Sequence, residues 1–254
     1  MFRKKEKKGS HIGIVLSFTL FVGFVFFFYS MVQPILKYET KSNQIELLRE
    51  RVIKETSKEL NSFSVRIDWS GQTNPTCVKL VSFIDEVNIG EEIIVRNNEN
   101  ALDFYLSGSD LFVKTYEDPF IKVYESSGFE GNETEISGCA ELNKGPSGYL
   151  LGLIRTEERV FEAEVIRLID EYSENYEDVK ERLAVPKGND FGIGFSYSNG
   201  TELGFSYIDG IFVSTGNSEL TPPQTANVFV DEIPIEYISA DASRKIGTLK
   251  IILW

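Results

Sequence analysis

The sequence predicts an α+β protein in which an N-terminal transmembrane helix and a stem helix precede a mostly antiparallel, β-rich head with one long amphipathic helix. An uncharged apolar run occupies residues 10–36, apolar residues recur at helical spacing in 37–61, and apolar and polar residues mainly alternate in 62–254. Recurrence every three to four positions favours a helix, whereas alternation favours a strand. These three patterns define the predicted order of elements.

The first predicted element is a transmembrane helix over residues 10–36. Residues 9–36 contain no Asp, Glu, Lys or Arg, and a helix needs about 20 apolar residues to cross a bilayer. A cleaved secretory signal would have a shorter apolar region that ends at small residues, whereas this run ends in Met-Val-Gln-Pro at 31–34. The basic residues at positions 1–8 predict a cytoplasmic N-terminus and an extracytoplasmic C-terminal domain. We therefore expect a single-pass protein of the cell membrane, in contact with the lipid bilayer.

A short basic leader that ends in glycine stands directly before this helix. Residues 3–9 read RKKEKKG, and the apolar segment begins SHIGIVL at residues 10–16. This order of parts resembles the class III signal peptide of archaeal type IV pilin-like membrane proteins. The resemblance implies cleavage between Gly9 and Ser10, a retained helix that continues as a stem, and a β-rich head. Many members have a glutamate five residues into the mature chain, where this chain has Ile14.

Two amphipathic helices are predicted outside the membrane segment. The stem helix, in 37–61, carries apolar residues at helical spacing: Ile45, Leu48, Val52 and Ile53. The longer helix covers residues 157–183, and a Pro-Lys-Gly sequence at 186–188 ends it. We expect the apolar stripe of each helix to pack against the head.

The remaining head is predicted to consist of short strands separated by turn-forming residues. The predicted strands cover residues 64–69, 78–84, 92–96, 101–107, 111–115, 120–125, 191–197, 202–208, 211–215, 228–237 and 246–254. Because most of the gaps are too short for crossover helices, an antiparallel meander is favoured. Asn-Gly at 199–200 and Asp-Gly at 209–210 predict tight hairpin turns. The sequence leaves open whether the head is one unit or two that divide near 145–156.

Composition argues against nucleic-acid binding and against the common hydrolytic sites. The chain has a formal net charge of −13, although its first eight residues hold five basic side chains and one acidic one. A head with this excess of negative charge repels the phosphate backbones of nucleic acids. His11 is the only histidine, which excludes Ser-His-Asp and Cys-His catalysis in the head. No metal-binding, nucleotide-binding or cofactor-binding motif is present, and we expect neither an enzyme nor a bound cofactor.

The head offers two kinds of covalent modification. Cys77 and Cys139 are the only cysteines, and outside the cytoplasm a disulfide is favoured over two buried free thiols. Asn132 and Asn199 each begin an Asn-x-Thr acceptor sequence for N-glycosylation. Asn132 is the better candidate, because Asn199 belongs to the predicted hairpin turn.

The sequence thus favours a non-enzymatic, pilin-like surface protein with a single membrane anchor. It would act in assembly, adhesion or secretion, through copies of itself or other pilin-like subunits. The alternative is a membrane-anchored extracytoplasmic binding or sensor domain that does not polymerise. An extracytoplasmic hydrolase that uses a pair of carboxylates is a third and more distant alternative.

Overall fold

The computed structural model describes residues 11–68, 76–90, 92–115, 118–131, 133–203, 205–208, 211–214 and 227–254. These ranges contain four helices: α1 His11–Glu55, α2 Phe83–Val87, α3 Glu162–Glu174 and α4 Tyr176–Arg182. They also contain fifteen strands: β1 Ser57–Ile67, β2 Val78–Leu80, β3 Ile93–Arg96, β4 Ala101–Leu102, β5 Phe104–Ser107, β6 Asp110–Val113, β7 Phe120–Glu125, β8 Ala140–Leu142, β9 Tyr149–Phe161, β10 Phe191–Tyr197, β11 Glu202–Leu203, β12 Phe205–Ile208, β13 Ile211–Ser214, β14 Phe229–Ile238 and β15 Arg244–Leu253. The chain is α+β, as the sequence predicted.

Helix α1 is one continuous helix that covers most of the transmembrane helix predicted for 10–36 and of the stem helix predicted for 37–61. It runs through Pro34 and ends at Glu55, six residues before the predicted end. The hydroxyl of Thr56 donates to the carbonyl of Val52 at 2.9 Å, and that of Ser57 donates to the carbonyl of Ile53 at 2.7 Å. Hydroxyls that bond the last helical carbonyls replace the backbone bonds of a further turn, and β1 begins immediately.

The main sheet has nine strands in the order β11-β10-β15-β14-β9-β1-β7-β3-β4. All neighbouring strands in it are antiparallel except β14 and β9, which are parallel and share only the pairs Tyr237 with Val160 and Ile238 with Phe161. This short contact divides the sheet into two lobes. The disulfide lobe contains β9, β1, β7, β3 and β4 together with a second sheet of order β5-β6-β2-β8. The helix lobe contains β11, β10, β15 and β14 together with α3, α4 and the C-terminal part of α1.

Each lobe has its own apolar core. The core of the disulfide lobe lies between its two sheets and includes Phe63, Val65, Leu80, Phe83, Ile93, Leu111, Ile121, Val123 and Tyr149. The core of the helix lobe lies between helices and sheet and includes Ile45, Leu48, Val52, Val165, Leu168, Tyr172, Phe191, Phe195 and Leu249. Ile238, the last residue of β14, and Ala242, from the connection between β14 and β15, belong to the core of the disulfide lobe. The two lobes are therefore packed together at this connection.

The predicted elements differ from the observed ones where pairing with distant parts of the chain determines the secondary structure. Strands 120–125 and 191–197 have the predicted bounds. The helix predicted for 157–183 begins only at Glu162, because residues 149–161 form β9 along β1, and it is interrupted at Asn175. The predicted strand 78–84 ends at Leu80, and a short helix follows. The head is mostly antiparallel, but it is not a meander because β1 pairs with both β7 and β9.

Candidate functional site

The N-terminal part of α1 is an apolar surface that no other part of the described chain covers. The segment Gly13–Val32 is long and apolar enough to cross a membrane, and none of its most apolar stretch is buried. At about 1.5 Å per residue it is about 30 Å long, which equals the thickness of a hydrocarbon core. The hydroxyl of Thr19 donates to the carbonyl of Val15 at 2.9 Å, so this polar group is satisfied within the helix. Thirteen large apolar side chains are exposed in the segment. The first of them in the sequence, Ile14, is 68% exposed, and the last, Met31, is 62% exposed.

The C-terminal part of α1 is attached to the helix lobe by buried apolar side chains. Leu48 and Val52 are 3% and 0% exposed, whereas Leu47, one residue away on the helix surface, is 46% exposed. Polar bonds surround this contact. Arg49 donates to Asp231 of β14 at 3.0 Å, and Arg51 donates to the carbonyl of Leu183 at 2.7 Å. The helix is therefore part of the head and not a flexible tether.

A cleft of about 410 Å³ lies where the end of α1 meets α3 and α4. Basic side chains predominate in its lining: Arg51, Lys54, Lys58, Arg167 and Arg182, with Glu55 as the acid. Arg182 pairs with Glu55 at 2.8 Å and also with Glu171. The hydrogen bond from Arg182 is the main reason why the pKa of Glu171 lies below its ordinary value. Because most of these cations already have carboxylate or carbonyl partners, the cleft is an ion-pair network that fastens α1 to α3 and α4.

The predicted disulfide between Cys77 and Cys139 is present. Each cysteine directly precedes a strand of the second sheet, β2 or β8, and these two strands are parallel neighbours that pair Val78 with Ala140. The bond encloses a loop with a sequence separation of 62. By the chain-entropy estimate such a loop contributes about 4 kcal/mol. The disulfide therefore ties together the starts of two strands of the second sheet in the lobe that α1 does not enter.

Charged side chains join the two lobes beside the short contact between β14 and β9. Arg244 of β15 pairs with Glu157 of β9 at 2.6 Å and with Glu236 of β14 at 3.6 Å, and Arg159 pairs with both carboxylates. The hydrogen bond from Arg159 is the largest cause of the lowered pKa of Glu157. These four residues form a closed ring, which we call the charge ring.

A second polar contact holds the connection between β14 and β15 on the disulfide lobe. Arg96 of β3 donates to a carboxylate oxygen of Asp241 at 2.8 Å and to its carbonyl at 2.5 Å. Partial burial of Asp241 raises its pKa, but hydrogen bonds from Ser239, Ser243 and Arg96 outweigh burial and lower that pKa well below its ordinary range. The contact therefore depends on an ionised Asp241.

The other predicted modification sites are only partly placed by the structure. The leader with Gly9 and Ser10, and the acceptor Asn132, lie outside the described residues. Asn199 lies in a tight turn, where its side-chain oxygen accepts from the backbone N–H of Thr201 at 2.9 Å and Gly200 has a φ of +82°. Within the described ranges, no group of three or more His, Cys, Asp or Glu side chains could hold a metal ion.

Sequence reasoning missed the basic cleft and the charge ring. Their partners are far apart in the chain, with Arg244 and Glu157 separated by 87 positions, and one sequence contains no signal for such pairs. Comparisons with protein-family models, with curated proteins and with solved structures found no match to this chain.

Proposed function

We propose that this chain is a non-enzymatic, single-pass membrane protein of pilin-like design that acts in assembly, adhesion or secretion at the cell surface. Its N-terminus lies in the cytoplasm and its acidic head lies outside. One observation carries the proposal: a single continuous helix has an exposed apolar first part and a second part that is built into a mostly antiparallel head.

The exposed apolar side chains support the anchor. Moving one large apolar side chain from water into an apolar medium gains about 1.5–3 kcal/mol. Segment Gly13–Val32 carries thirteen of them, so insertion into lipid is strongly favoured over exposure to water. The basic residues at positions 1–8 favour an N-terminus that stays on the cytoplasmic side.

The disulfide supports an extracytoplasmic head. Disulfides persist in oxidising compartments and are rare in the cytosol. The Cys77–Cys139 bond lies in the disulfide lobe, downstream of the helix. A head exported across the membrane would reach a compartment in which this bond is stable.

Ile14 favours a second candidate function. Many pilin-like proteins carry a glutamate at the position that Ile14 would occupy after cleavage at Gly9, and a chain without that carboxylate fits a membrane-anchored binding or sensor domain that does not polymerise. Both candidates share the anchor and the orientation of the head. They differ in whether the leader is removed.

Membrane extraction and mass spectrometry of the mature chain from the native cell test the proposal. We expect the protein to need detergent for release from the membrane and to begin at Ser10. Release without detergent would refute the anchor. A chain that keeps residues 1–9 would refute the pilin-like part and support the sensor alternative.

A matched pair of glycine variants sharpens the cleavage test. Gly9→Val should block removal of the leader, because the proposed cleavage site needs the small residue. Gly13→Val is the control, since a side chain at Gly13 meets nothing within 4 Å, and it should be processed like the natural chain. Equal processing of the two variants would contradict the assignment of Gly9.

A further inference from the structure

One face of the sheet in the disulfide lobe points away from the core between its two sheets, and the part of this face on β1, β7 and β9 is exposed. In the pairing of β1 with β7 and β9, Arg66 lies opposite Phe120 and Leu150, Ser64 lies opposite Lys122, and Ser62 lies opposite Arg155. Residues opposite each other on neighbouring strands project on the same face. The alternate residues of β1, such as Phe63 and Val65, belong to the core on the other face. We call the exposed face the basic sheet face and define it by six residues: Ser64, Arg66, Phe120, Lys122, Leu150 and Arg155.

The basic sheet face combines unpaired positive charge with exposed apolar surface. Arg66, Lys122 and Arg155 are exposed, and they form no ion pair with any residue that the structure describes. Phe120 is 56% exposed and Leu150 is 38% exposed. Aromatic and arginine side chains together are typical of protein interfaces. In a chain of net charge −13, such a face fits an acidic partner.

The chain itself carries a surface of the opposite charge on the other lobe. Five carboxylates lie on α3 and α4, are exposed, and form no ion pair within the described part of the chain: Asp170, Glu174, Glu177, Asp178 and Glu181. We call this surface the acidic helix face. Like-charge repulsion would oppose the contact of two acidic faces or of two basic faces, whereas a basic face and an acidic face attract each other.

We propose that the basic sheet face of one molecule docks on the acidic helix face of a second copy of this chain. The proposal rests on the proposed function, because the anchor places the copies in one membrane with their heads on one side. The two faces lie on different lobes and differ from each other, so the contact is heterologous. A heterologous contact leaves one face free at each end and continues into a row of molecules.

The small area of the basic sheet face indicates a weak contact, which forms only when the copies are confined to one membrane. Three strands about 4.8 Å apart and five residues of β1 at about 3.4 Å each give roughly 14 Å by 17 Å. Stable complexes bury about 800 Å² on each partner, which is several times this area. Confinement of anchored copies to one membrane raises their effective concentration. We therefore expect monomers in dilute detergent and association in the membrane.

Energy transfer between full-length chains in phosphatidylcholine vesicles tests the contact. Donor and acceptor dyes are placed on a short peptide added after Trp254. At about 0.05 M salt, energy transfer should exceed the level expected for randomly mixed copies. At about 0.5 M salt it should fall to the random level, because the Debye length is then only about 4 Å. Transfer that does not respond to salt would contradict the charge-based contact.

Charge reversal on each face provides the decisive comparison. The Lys122→Glu, Arg155→Glu double variant and the Glu177→Lys, Asp178→Lys, Glu181→Lys triple variant should each lose transfer. An equal mixture of the two should regain it, because both contacts between unlike variants again join opposite charges. The proposal is overturned if either variant alone associates like the natural chain, or if the mixture stays at the random level.

Controls separate this contact from other causes of association. The Lys187→Glu, Lys245→Glu double variant changes the charge by the same amount as the Lys122→Glu, Arg155→Glu variant, at two exposed lysines that form no ion pair with described residues, and it should keep full transfer. Circular dichroism checks the fold of every variant. Failure of the natural chain to float with vesicles would refute the anchor, whereas flotation without salt-dependent transfer would refute only the docking contact. Loss of transfer at about 0.05 M salt when anionic phosphatidylglycerol is added to the vesicles would assign the face to lipid and overturn the proposal.

Discussion

The two lobes reach similar degrees of burial by different means. In the disulfide lobe two sheets pack face to face and a covalent bond ties neighbouring strands. In the helix lobe one sheet is covered by helices from separate parts of the chain, and one of them is the C-terminal part of α1. Helix α1 is therefore a core element of the helix lobe and is absent from the core of the disulfide lobe. Truncation before β1 would therefore damage the helix lobe and leave the core of the disulfide lobe complete.

Among these variants, loss of the disulfide should lower the unfolding free energy most, and the disulfide lobe should be the part that is destabilised. The Cys77→Ala, Cys139→Ala double variant should lose about 4 kcal/mol of unfolding free energy, because the unfolded chain regains the entropy of a long open loop. Hydrogen exchange measured by mass spectrometry should show lost protection mainly in the disulfide lobe. Equal loss of protection in both lobes would show that they unfold as one unit.

The corresponding change in the helix lobe is Leu48→Ala. Leu48 is 3% exposed, and truncation of a buried leucine costs about 3 kcal/mol. Leu47→Ala is the matched control, because Leu47 is 46% exposed and should cost less than about 1 kcal/mol. Urea denaturation of the two variants in detergent measures both values. Similar losses of unfolding free energy in the two variants would contradict the packing of α1 against the sheet.

The contact between Arg96 and Asp241 should make the junction of the lobes sensitive to acid. The folded-state pKa of Asp241 is lower than its ordinary value of 3.8. Its contribution is therefore complete above about pH 4 and is lost as the pH falls through the folded pKa. Asp241→Asn should cost about 1 kcal/mol at pH 7, a discounted value because the side chain is 48% exposed.

Denaturation at pH 7 and at about pH 2 measures this difference. The gap between Asp241→Asn and the natural protein should narrow at the lower pH, because there the unfolded chain binds a proton at Asp241 while the folded chain keeps the carboxylate ionised. Glu130→Gln changes an exposed carboxylate with no ion pair among the described residues, and it should leave the stability unchanged at pH 7. An Asp241→Asn cost that does not depend on pH would contradict the role of the ionised carboxylate.

The charge ring should contribute least. Glu236 is 44% exposed, and an exposed ion pair contributes about 0.5 kcal/mol. Glu236→Gln should therefore lower the unfolding free energy only slightly, and salt at about 0.5 M should remove the difference. Thermal denaturation at low and high salt checks this. A larger cost that persists at high salt would show that the ring, and not the paired strands, holds the lobes together.

Local patterns predicted the elements that depend on local sequence. The apolar run, strands β7 and β10 and the Asn-Gly turn each have a short-range signal, and the disulfide followed from the presence of only two cysteines. Residues 157–161 satisfy a helical repeat as well as a strand pattern. The pairing of Ser57 with Val160, which are more than 100 positions apart, favours the strand. Phe161, predicted to lie in a helix stripe, instead ends β9 and packs edge-on against Phe129 at 5.3 Å.

The candidate surfaces were less predictable than the elements. The basic sheet face exists only because three strands bring Arg66, Lys122 and Arg155 into neighbouring rows. The third of these strands was not predicted over residues 149–156. The cleft and the charge ring depend on the same kind of long-range register. The apolar run was predictable because its signal is continuous in the chain.

The direct passage from α1 into β1 has a mechanical consequence. Once α1 is freed from the helix lobe, a pull on its N-terminal part reaches β1 through Thr56, whose carbonyl also accepts from the N–H of Phe161. β1 has β7 on one side and β9 on the other. Tension along β1 therefore loads the hydrogen bonds to both neighbouring strands together, in shear, and does not break them one at a time. We expect single-molecule pulling from the N-terminal side to free α1 from the helix lobe at low force and to rupture the disulfide lobe only at a much higher force.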